Sequence, residues 1–441
     1  MSNLTRPIAR KSARHVALLS AVILVALQPA VAENWPQWRG PRGNSTSTET
    51  GLPVVWNDQA NIAWKTPLPG WGSSTPAIWR DDVFVTTQHD DGLLVLKLDR
   101  RSGKIVWQRE VGTAATPRTG PKRDKQVFHQ LHNLASPSPV TDGETVVVHF
   151  GNGDLAAYDF AGEQRWHRNL QADHGAYTIW WGRANSPVLF GDTVISVCMQ
   201  DSLSDVADEP AQSYLVAHEL DSGRVRWQTA RMTDAPAEQA DAYTTPVLVD
   251  NGGRTELIVM GANHLDAYDP SDGRRLWVVP KLIGGRTVTG PTVAGGMLYV
   301  TRGMRGSLLG FKLDPAAPDR APEIAWKHSQ GTPDTPCPVV WNEVLFTITD
   351  NGIARAYDAI NGKLHWTERL HGDYKASPLA AEGRIYFLNT DGLCTVVSAS
   401  TRFEVLAKNE LPDTTLASPA VSDRHLFLRG RDALYCLGES F

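Results

Sequence analysis

The hydrophobic positions of this chain fall in short runs that recur in the same order eight times. Each unit opens with a small residue followed by proline. It continues with two short apolar strands, a glycine turn, a third strand ending in aspartate, a second glycine turn, and an apolar run ending in tryptophan. The first unit contains Thr75-Pro76, Val83–Val85, Gly92, Leu93–Asp99, Ser102-Gly103 and Ile105–Trp107. A repeat of this size, four short strands long, predicts a radial array of antiparallel sheets.

The opening dipeptide gives the number of units. It recurs at Thr75-Pro76, Ser138-Pro139, Ser186-Pro187, Thr245-Pro246, Gly290-Pro291, Cys337-Pro338, Ser377-Pro378 and Ser418-Pro419. We therefore predict an all-β fold, an eight-bladed β-propeller of four-stranded antiparallel blades. The tryptophans that end the fourth strands are interpreted as packing between neighbouring blades, with Phe403 near that position in blade seven. Glycine and asparagine at the hairpins tolerate the positive φ that two-residue turns require.

The eighth unit has no fourth strand of its own, because the chain stops at Phe441 soon after Asp432–Leu437. The segment Asn61–Lys65, which precedes blade one, has the pattern of a fourth strand without a blade. We predict that this N-terminal strand pairs with the last blade. The pairing would close the ring and remove two exposed strand edges at once.

The first 32 residues have the pattern of a secretory signal peptide. A basic start is followed by an apolar run over residues 16–27 and by the small-x-small motif Ala30–Ala32. The run is too short to span a membrane comfortably, and no cysteine follows it that could carry a lipid anchor. We expect cleavage after Ala32 and a periplasmic or secreted protein without a membrane anchor. The domain organisation is then a signal peptide over 1–32, an N-terminal extension over 33–58 and a propeller over 59–441.

Charge and cysteine content exclude several classes of function. The formal net charge is −5, so the chain has no basic field for nucleic acid. The four cysteines stand in different blades, at Cys198, Cys337, Cys394 and Cys436. The absence of CxxC, CxxCH and HExxH motifs leaves no recognisable zinc or covalent haem site, and we predict no metal ligands. We expect buried thiols and a monomer.

Two of the loops that lead into inner strands are long and carry unusual side chains. In a propeller, these leading loops and the turns between strands two and three share the face at the channel mouth, where ligand sites usually lie. Imidazoles, indoles, an amide and a guanidinium in residues 127–133 and 177–185 suit a planar, oxygen-rich or anionic ligand. The predicted ligand-binding residues at the channel mouth are His129, His132, Asn133, His149, Trp180, Trp181, Arg183, His264, Arg302 and Lys375.

The same face should receive Tyr243, Arg286 and Asp350 from other blades. The alternative for any one of these residues is a solvated loop position without a ligand. The sequence identifies no catalytic residue, since no nucleophile–base pair can be named. Ser138 and Ser186 belong to the recurring dipeptide, which indicates a structural role.

The unit resembles the repeat of the quinoprotein-type, or PQQ-like, β-propeller over residues 59–441. The lead-in residues 34–41 and 51–53 resemble those of a large group of secreted bacterial propellers. Two relatives define what the resemblance implies. Quinoprotein alcohol dehydrogenases imply PQQ with calcium in the channel, a tryptophan floor, a vicinal disulfide and an aspartate base. The outer-membrane assembly factor BamB implies a protein-binding scaffold without a cofactor.

These observations favour a secreted or periplasmic binding or scaffold propeller that takes a protein or saccharide ligand at its channel-mouth face. No cofactor is predicted for that role. The alternative is an oxidoreductase that uses PQQ and calcium to oxidise alcohols or sugars. A cofactor-free carbohydrate enzyme at the same face is a third hypothesis, so the sequence leaves open whether the protein is an enzyme.

Overall fold

The computed structural model describes residues 1–2, 32–57, 60–114, 129–179, 181–200 and 212–441. Residues 32–441 form one compact unit. The predicted signal peptide lies almost wholly outside the described residues, and so do Trp180 and residues 127–128 of the leading loops. Within the described part of the chain, no helix has the length and apolar character needed to cross a membrane.

The short apolar runs form eight four-stranded antiparallel sheets, as predicted. Blade one comprises Ala77–Trp79, Asp82–His89, Gly92–Asp99 and Ile105–Thr113, and blade two comprises Val140–Thr141, Thr145–His149, Asp154–Asp159 and Gln164–Asn169. Blade three comprises Val188–Phe190, Thr193–Cys198, Tyr214–Glu219 and Val225–Ala230, and blade four comprises Val247–Asn251, Arg254–Gly261, His264–Tyr268 and Arg275–Val279. Blade five comprises Thr292–Ala294, Met297–Thr301, Leu308–Lys312 and Glu323–His328, and blade six comprises Val339–Trp341, Val344–Ile348, Ile353–Asp358 and Leu364–Arg369. Blade seven comprises Leu379–Ala381, Arg384–Leu388, Leu393–Ser398 and Val405–Glu410. Blade eight comprises Ala420–Ser422, His425–Arg429, Ala433–Leu437 and, from the N-terminal side, Ile62–Pro67. A helical turn at Leu170–His174 and a 3₁₀ turn at Ala237–Ala240 lie in loops.

The ring closes through its N-terminal strand, which confirms the predicted pairing. Ile62–Pro67 runs antiparallel to Ala433–Leu437 and forms the outermost strand of blade eight. The inner strand of blade one contacts the inner strands of both blade two and blade eight. Backbone hydrogen bonds therefore join this N-terminal strand to the last blade, and Ala433–Leu437 is not left as an unpaired outer edge.

The fourth-strand tryptophans join neighbouring blades, as interpreted from the sequence. The indole nitrogen of Trp107 in blade one donates to the carbonyl of Phe160 in blade two, and that of Trp227 in blade three donates to Pro270 in blade four, both at 3.1 Å. A glycine in the turn that accepts this hydrogen bond packs on the indole ring. A Cβ atom at Gly273 would lie 2.4 Å from the Trp227 side chain. The hydrophobic core is accordingly a set of clusters between adjacent blades.

Blade seven departs from this pattern. Ala407, which pairs with Val396, occupies the position where the other fourth strands have tryptophan. Phe403 precedes that strand and packs edge-on against Trp366 of blade six, with ring centroids 5.1 Å apart. Trp56, which comes from before blade one, stacks near Tyr386 of blade seven at 6.5 Å. A tryptophan from outside the repeat thus packs on the blade that lacks its own.

The segment that contains Trp56, residues 33–57, is called here the lead-in segment. It runs inside the ring, beside the ends of the inner strands that are farther from the channel mouth. There Thr46–Ser47 pairs in parallel with the inner strand of blade seven. Trp35 exchanges two backbone hydrogen bonds with Ile78 of blade one, at 2.8 and 2.7 Å. The lead-in segment therefore fills the opposite end of the channel.

Arg39 fixes the lead-in segment to the far side of the ring. Its guanidinium is fully buried and donates to the carbonyl of Pro291 in blade five at 2.8 Å and to that of Pro338 in blade six at 3.2 Å. Burial lowers the pKa of Arg39, because no water remains to solvate its charge. The carbonyl groups at the start of two inner strands take the place of that water.

Candidate functional site

The small residue of each opening dipeptide forms a seam around the channel. In five blades its hydroxyl accepts the backbone N–H of the equivalent residue in the preceding blade, whereas the Thr75 hydroxyl donates to the carbonyl of Ser418. Ser138 accepts from Thr75, Ser186 from Ser138, Thr245 from Ser186, Ser377 from Cys337 and Ser418 from Ser377, all at 2.9–3.0 Å. The Cys337 thiol accepts from Gly290 in the same way, at 3.1 Å. These contacts support the structural role expected of Ser138 and Ser186.

The channel mouth opens into a cavity of about 420 Å³ that reaches down to Trp38 of the lead-in segment. Five seam hydroxyls line its wall, those of Ser138, Ser186, Thr245, Ser377 and Ser418. The rim carries His129, His132, Trp181, Arg286, Asp334, Asp350 and Lys375. Because the lead-in segment fills the other end, the cavity has one open side, at the face where the sequence predicted a site.

Four of the ten predicted site residues line this cavity: His129, His132, Trp181 and Lys375. The rings of His129 and Trp181 meet edge to face with centroids 6.0 Å apart. His132 donates from Nε2 to the carbonyl of Trp181 at 2.5 Å, and so ties the leading loop of blade two to that of blade three. Burial lowers the pKa of His132, which favours the neutral ring.

Arg183 and His149 do not reach the cavity, so their predicted place at the channel mouth is corrected. Arg183 is only 1% exposed, donates to the Tyr177 hydroxyl at 2.9 Å and the Val197 carbonyl at 2.5 Å, and lies over the Tyr177 ring. His149 is fully buried, and this burial holds its pKa well below the usual range. Both side chains point into the packing of blades two and three.

Three further predicted residues stand near the channel-mouth face but outside the cavity lining. Asn133 uses its amide to donate to the backbone of Trp71 at 2.9 Å and to accept from Ala135 at 3.0 Å. The His264 ring contacts Asp234 at 3.2 Å. Arg302 donates to Ser307 within its own turn at 3.1 Å. The tenth predicted residue, Trp180, lies outside the described residues.

The rim charges are held in pairs. Lys375 donates to Asp350 Oδ1 at 2.6 Å, and the same carboxylate accepts the Thr335 hydroxyl at 2.5 Å and the N–H groups of Asp334 and Thr335 at 3.0 Å. Arg286 donates to Glu238 at 3.0 Å, and so does the Trp181 indole. These contacts fix the cations and orient Trp181 before any ligand arrives.

Asp334 is the rim carboxylate that this network leaves most available. It accepts the backbone N–H of Arg305 at 2.5 Å. Burial raises the pKa of Asp334, and the neighbouring Asp350 charge adds to the increase. On the other side of the cavity, burial lowers the pKa of His129, to which the charges of Lys375 and Arg286 contribute. A neutral imidazole and a carboxyl group with a raised pKa therefore share the rim.

Sequence reasoning missed Trp38, Glu238 and Asp334. Trp38 lies outside the repeat, Glu238 lies in a short 3₁₀ turn, and Asp334 stands three residues before the Cys337-Pro338 dipeptide of blade six. Of these three residues, only Asp334 could have been identified from the sequence, because its short distance from the Cys337-Pro338 dipeptide places it in a leading loop.

The residues present fit only part of a quinone–calcium site. Trp38 and Trp181 offer indole faces, and Arg286 and Lys375 offer positive charge. Among the described residues, however, no three histidine, cysteine, aspartate or glutamate side chains are grouped so that they could hold a metal ion. Asp350 has both oxygens engaged, and the four cysteines are separate buried thiols. Because the described residues offer no such group of side chains, we derive no step through the quinone.

We expect Arg183→Ala to destabilise the fold by about 2–3 kcal/mol, because the change leaves the buried Tyr177 hydroxyl and Val197 carbonyl without their donor. Thermal unfolding of the mature protein measures the loss. Arg431→Ala is the matched control, since Arg431 is an exposed arginine that lies over the Trp71 ring. Equal melting temperatures for the two variants would show that Arg183 is not a packing residue.

A family model described as outer membrane protein assembly factor BamB matches residues 40–208, 183–315 and 316–422. The chain belongs to this family of PQQ-like propellers. No curated protein sequence matches it significantly.

Solved structures share the fold. BamB from Moraxella catarrhalis superposes with a TM-score of 0.56 at 16% identity, over 85% of this chain and 98% of that one. The quinohemoprotein alcohol dehydrogenase from Comamonas testosteroni gives 0.67 at 13% identity, over 91% and 80%. A europium-containing methanol dehydrogenase gives 0.63 at 12% identity, over 90% and 89%. At these identities the likeness establishes the propeller fold alone.

Proposed function

We propose that this protein is a periplasmic or secreted binding module that takes a protein or saccharide group into its channel-mouth cavity. The mature chain begins after Ala32, with an N-terminal extension over residues 33–58 and the propeller over 59–441. The observation that carries the proposal is the cavity of about 420 Å³ with one open side, ending at Trp38. This volume lies in the range of about 300–1,000 Å³ that is usual for small-molecule sites.

The arrangement of charges supports binding over catalysis. Lys375 is held by Asp350, and Arg286 is held by Glu238, so these groups are fixed and already partnered. A nucleophile needs an adjacent base within hydrogen-bond reach, and the seam hydroxyls instead accept backbone N–H groups. The family description, which names an assembly factor, supports a role in binding a partner.

The second candidate is a PQQ-dependent dehydrogenase, which the two indoles and two cations of the cavity favour. The experiment that separates the two roles is calorimetric titration of residues 33–441 with neutral disaccharides, with acidic and aromatic peptides, and with PQQ plus calcium. Met304→Trp is the blocking variant, because Met304 lines the cavity and is 39% exposed, so a larger side chain there does not disturb the core.

Saturable binding of a saccharide or a peptide, lost in Met304→Trp, would support the binding role. Saturable binding of PQQ together with dye-linked alcohol oxidation would replace it with the dehydrogenase. Binding that persists unchanged in Met304→Trp would move the site away from the cavity and overturn the proposal.

A further inference from the structure

The seam around the channel provides hydrogen-bond donors that the protein does not use. Ser138, Ser186, Thr245, Ser377 and Ser418 each accept a backbone N–H, which uses one lone pair of each hydroxyl oxygen. A hydroxyl also has a proton to donate. Within the described residues, none of these five hydroxyls donates a hydrogen bond to another protein group. All five line the cavity, and none is more than 7% exposed.

These five residues are called here the hydroxyl collar. The accepted N–H fixes each oxygen at the channel wall, while rotation about the C–O bond leaves the proton free to point toward the channel axis. A ligand that enters the open cavity displaces water from these donors, and it loses affinity unless it supplies acceptors in place of that water. The collar therefore favours a ligand with several oxygen acceptors at its inner end.

The rim residues determine which chemical groups can bind at the outer end of the cavity. The two cations among the described rim residues, Lys375 and Arg286, are balanced by Asp350 and Glu238, and the His129 ring is held toward its neutral form. The described part of the rim therefore presents no unpaired positive charge to an anion. Asp334 adds an acceptor for donated hydroxyl groups. Trp181 adds an indole held in place by Glu238, against which a flat apolar ring face can pack.

We propose that the cavity binds a neutral saccharide. Sugar hydroxyl groups both accept from the collar and donate to Asp334, and the C–H face of a pyranose packs on Trp181. A carboxylate or phosphate would satisfy the collar but would meet the Asp334 carboxylate, and the described rim residues offer it no free cation. This proposal rests on the binding role above and names the chemical class of its ligand.

Calorimetry with cellobiose, maltose and lactose tests the proposal, with glucuronic acid as the charged probe. At least one neutral disaccharide is expected to bind saturably, and to bind at least tenfold more tightly than glucuronic acid. Asp334→Asn and Trp181→Ala are each expected to weaken that binding at least tenfold. Asp432→Asn, an exposed carboxylate outside the cavity lining, is the control and should leave binding within twofold of the wild type. Melting temperatures of all variants establish that each one is folded.

Several results would overturn the saccharide assignment. One is binding of glucuronic acid as tight as that of every neutral disaccharide. Another is disaccharide binding that Asp334→Asn and Trp181→Ala leave unchanged. If peptides bind and Met304→Trp abolishes that binding while no disaccharide binds, the saccharide assignment fails and the binding role stands. If none of the probes binds, both fail.

Discussion

Replacing Trp227 with alanine is expected to lower the free energy of unfolding by about 3–5 kcal/mol. The Trp227 side chain is 8% exposed and fills the space between blades three and four, among Ile195, Leu257 and Tyr268. Its removal leaves a cavity that rigid strands cannot collapse to fill. It also leaves the Pro270 carbonyl without the indole donor and Gly273 without the ring that it packs against.

Urea unfolding followed by circular dichroism measures the change. Val225→Ala on the same strand is the matched control, because Val225 is 42% exposed and its removal leaves no buried cavity. The control is expected to change stability by no more than about 0.5 kcal/mol. If Trp227→Ala unfolds at the same urea concentration as Val225→Ala, the tryptophan does not join the blades.

The repeat made most of the propeller predictable, because its contacts are periodic. Trp107 and Trp227 each pack on a glycine turn of the next blade. Because the tryptophans and the glycine turns recur at regular spacing, the repeat is enough to predict these contacts. The closing strand was predictable for a similar reason. Ile62–Pro67 has the pattern of a fourth strand, and the eighth unit lacked one.

The lead-in segment was not predictable, because its contacts have no period. Arg39 donates to Pro291, 252 residues away, and no repeat spacing marks that pair. The position of Trp38 at the end of the cavity follows from this non-local anchoring. A residue outside the repeat thus decides where the channel closes.

Arg183 shows a second limit of sequence reasoning. An arginine in a polar loop usually faces water, since burying a charge is costly unless it is well partnered. Here the Tyr177 hydroxyl and the Val197 carbonyl supply that partnership, and both depend on how blades two and three meet. Trp181 lies in the same leading loop as Arg183, and His132 lies in the leading loop of blade two. Both reach the cavity because the hydrogen bond between them holds the two loops at the channel mouth.

Asp266→Ala is expected to destabilise the protein by about 3–5 kcal/mol, because it leaves a buried arginine without its counter-charge. Asp266 lies on the third strand of blade four and is fully buried. Arg231, which follows the fourth strand of blade three, donates to it at 2.6 Å. The ion pair therefore crosses a blade interface, and the loss should appear as a lower urea midpoint.

Asp192→Ala removes an equally short contact, Arg226 to Asp192 at 2.6 Å, from an exposed position and serves as the control. Water solvates both groups of that pair, so the midpoint should barely move. Replacing both partners of the buried pair, as in Arg231→Met with Asp266→Leu, should recover much of the loss, since the cost comes from an uncompensated charge and not from the missing attraction. If the double variant is less stable than Asp266→Ala, the hydrogen bonds that Arg231 makes to the carbonyls of Gly261 and His264 stabilise the protein by more than the uncompensated charge destabilises it.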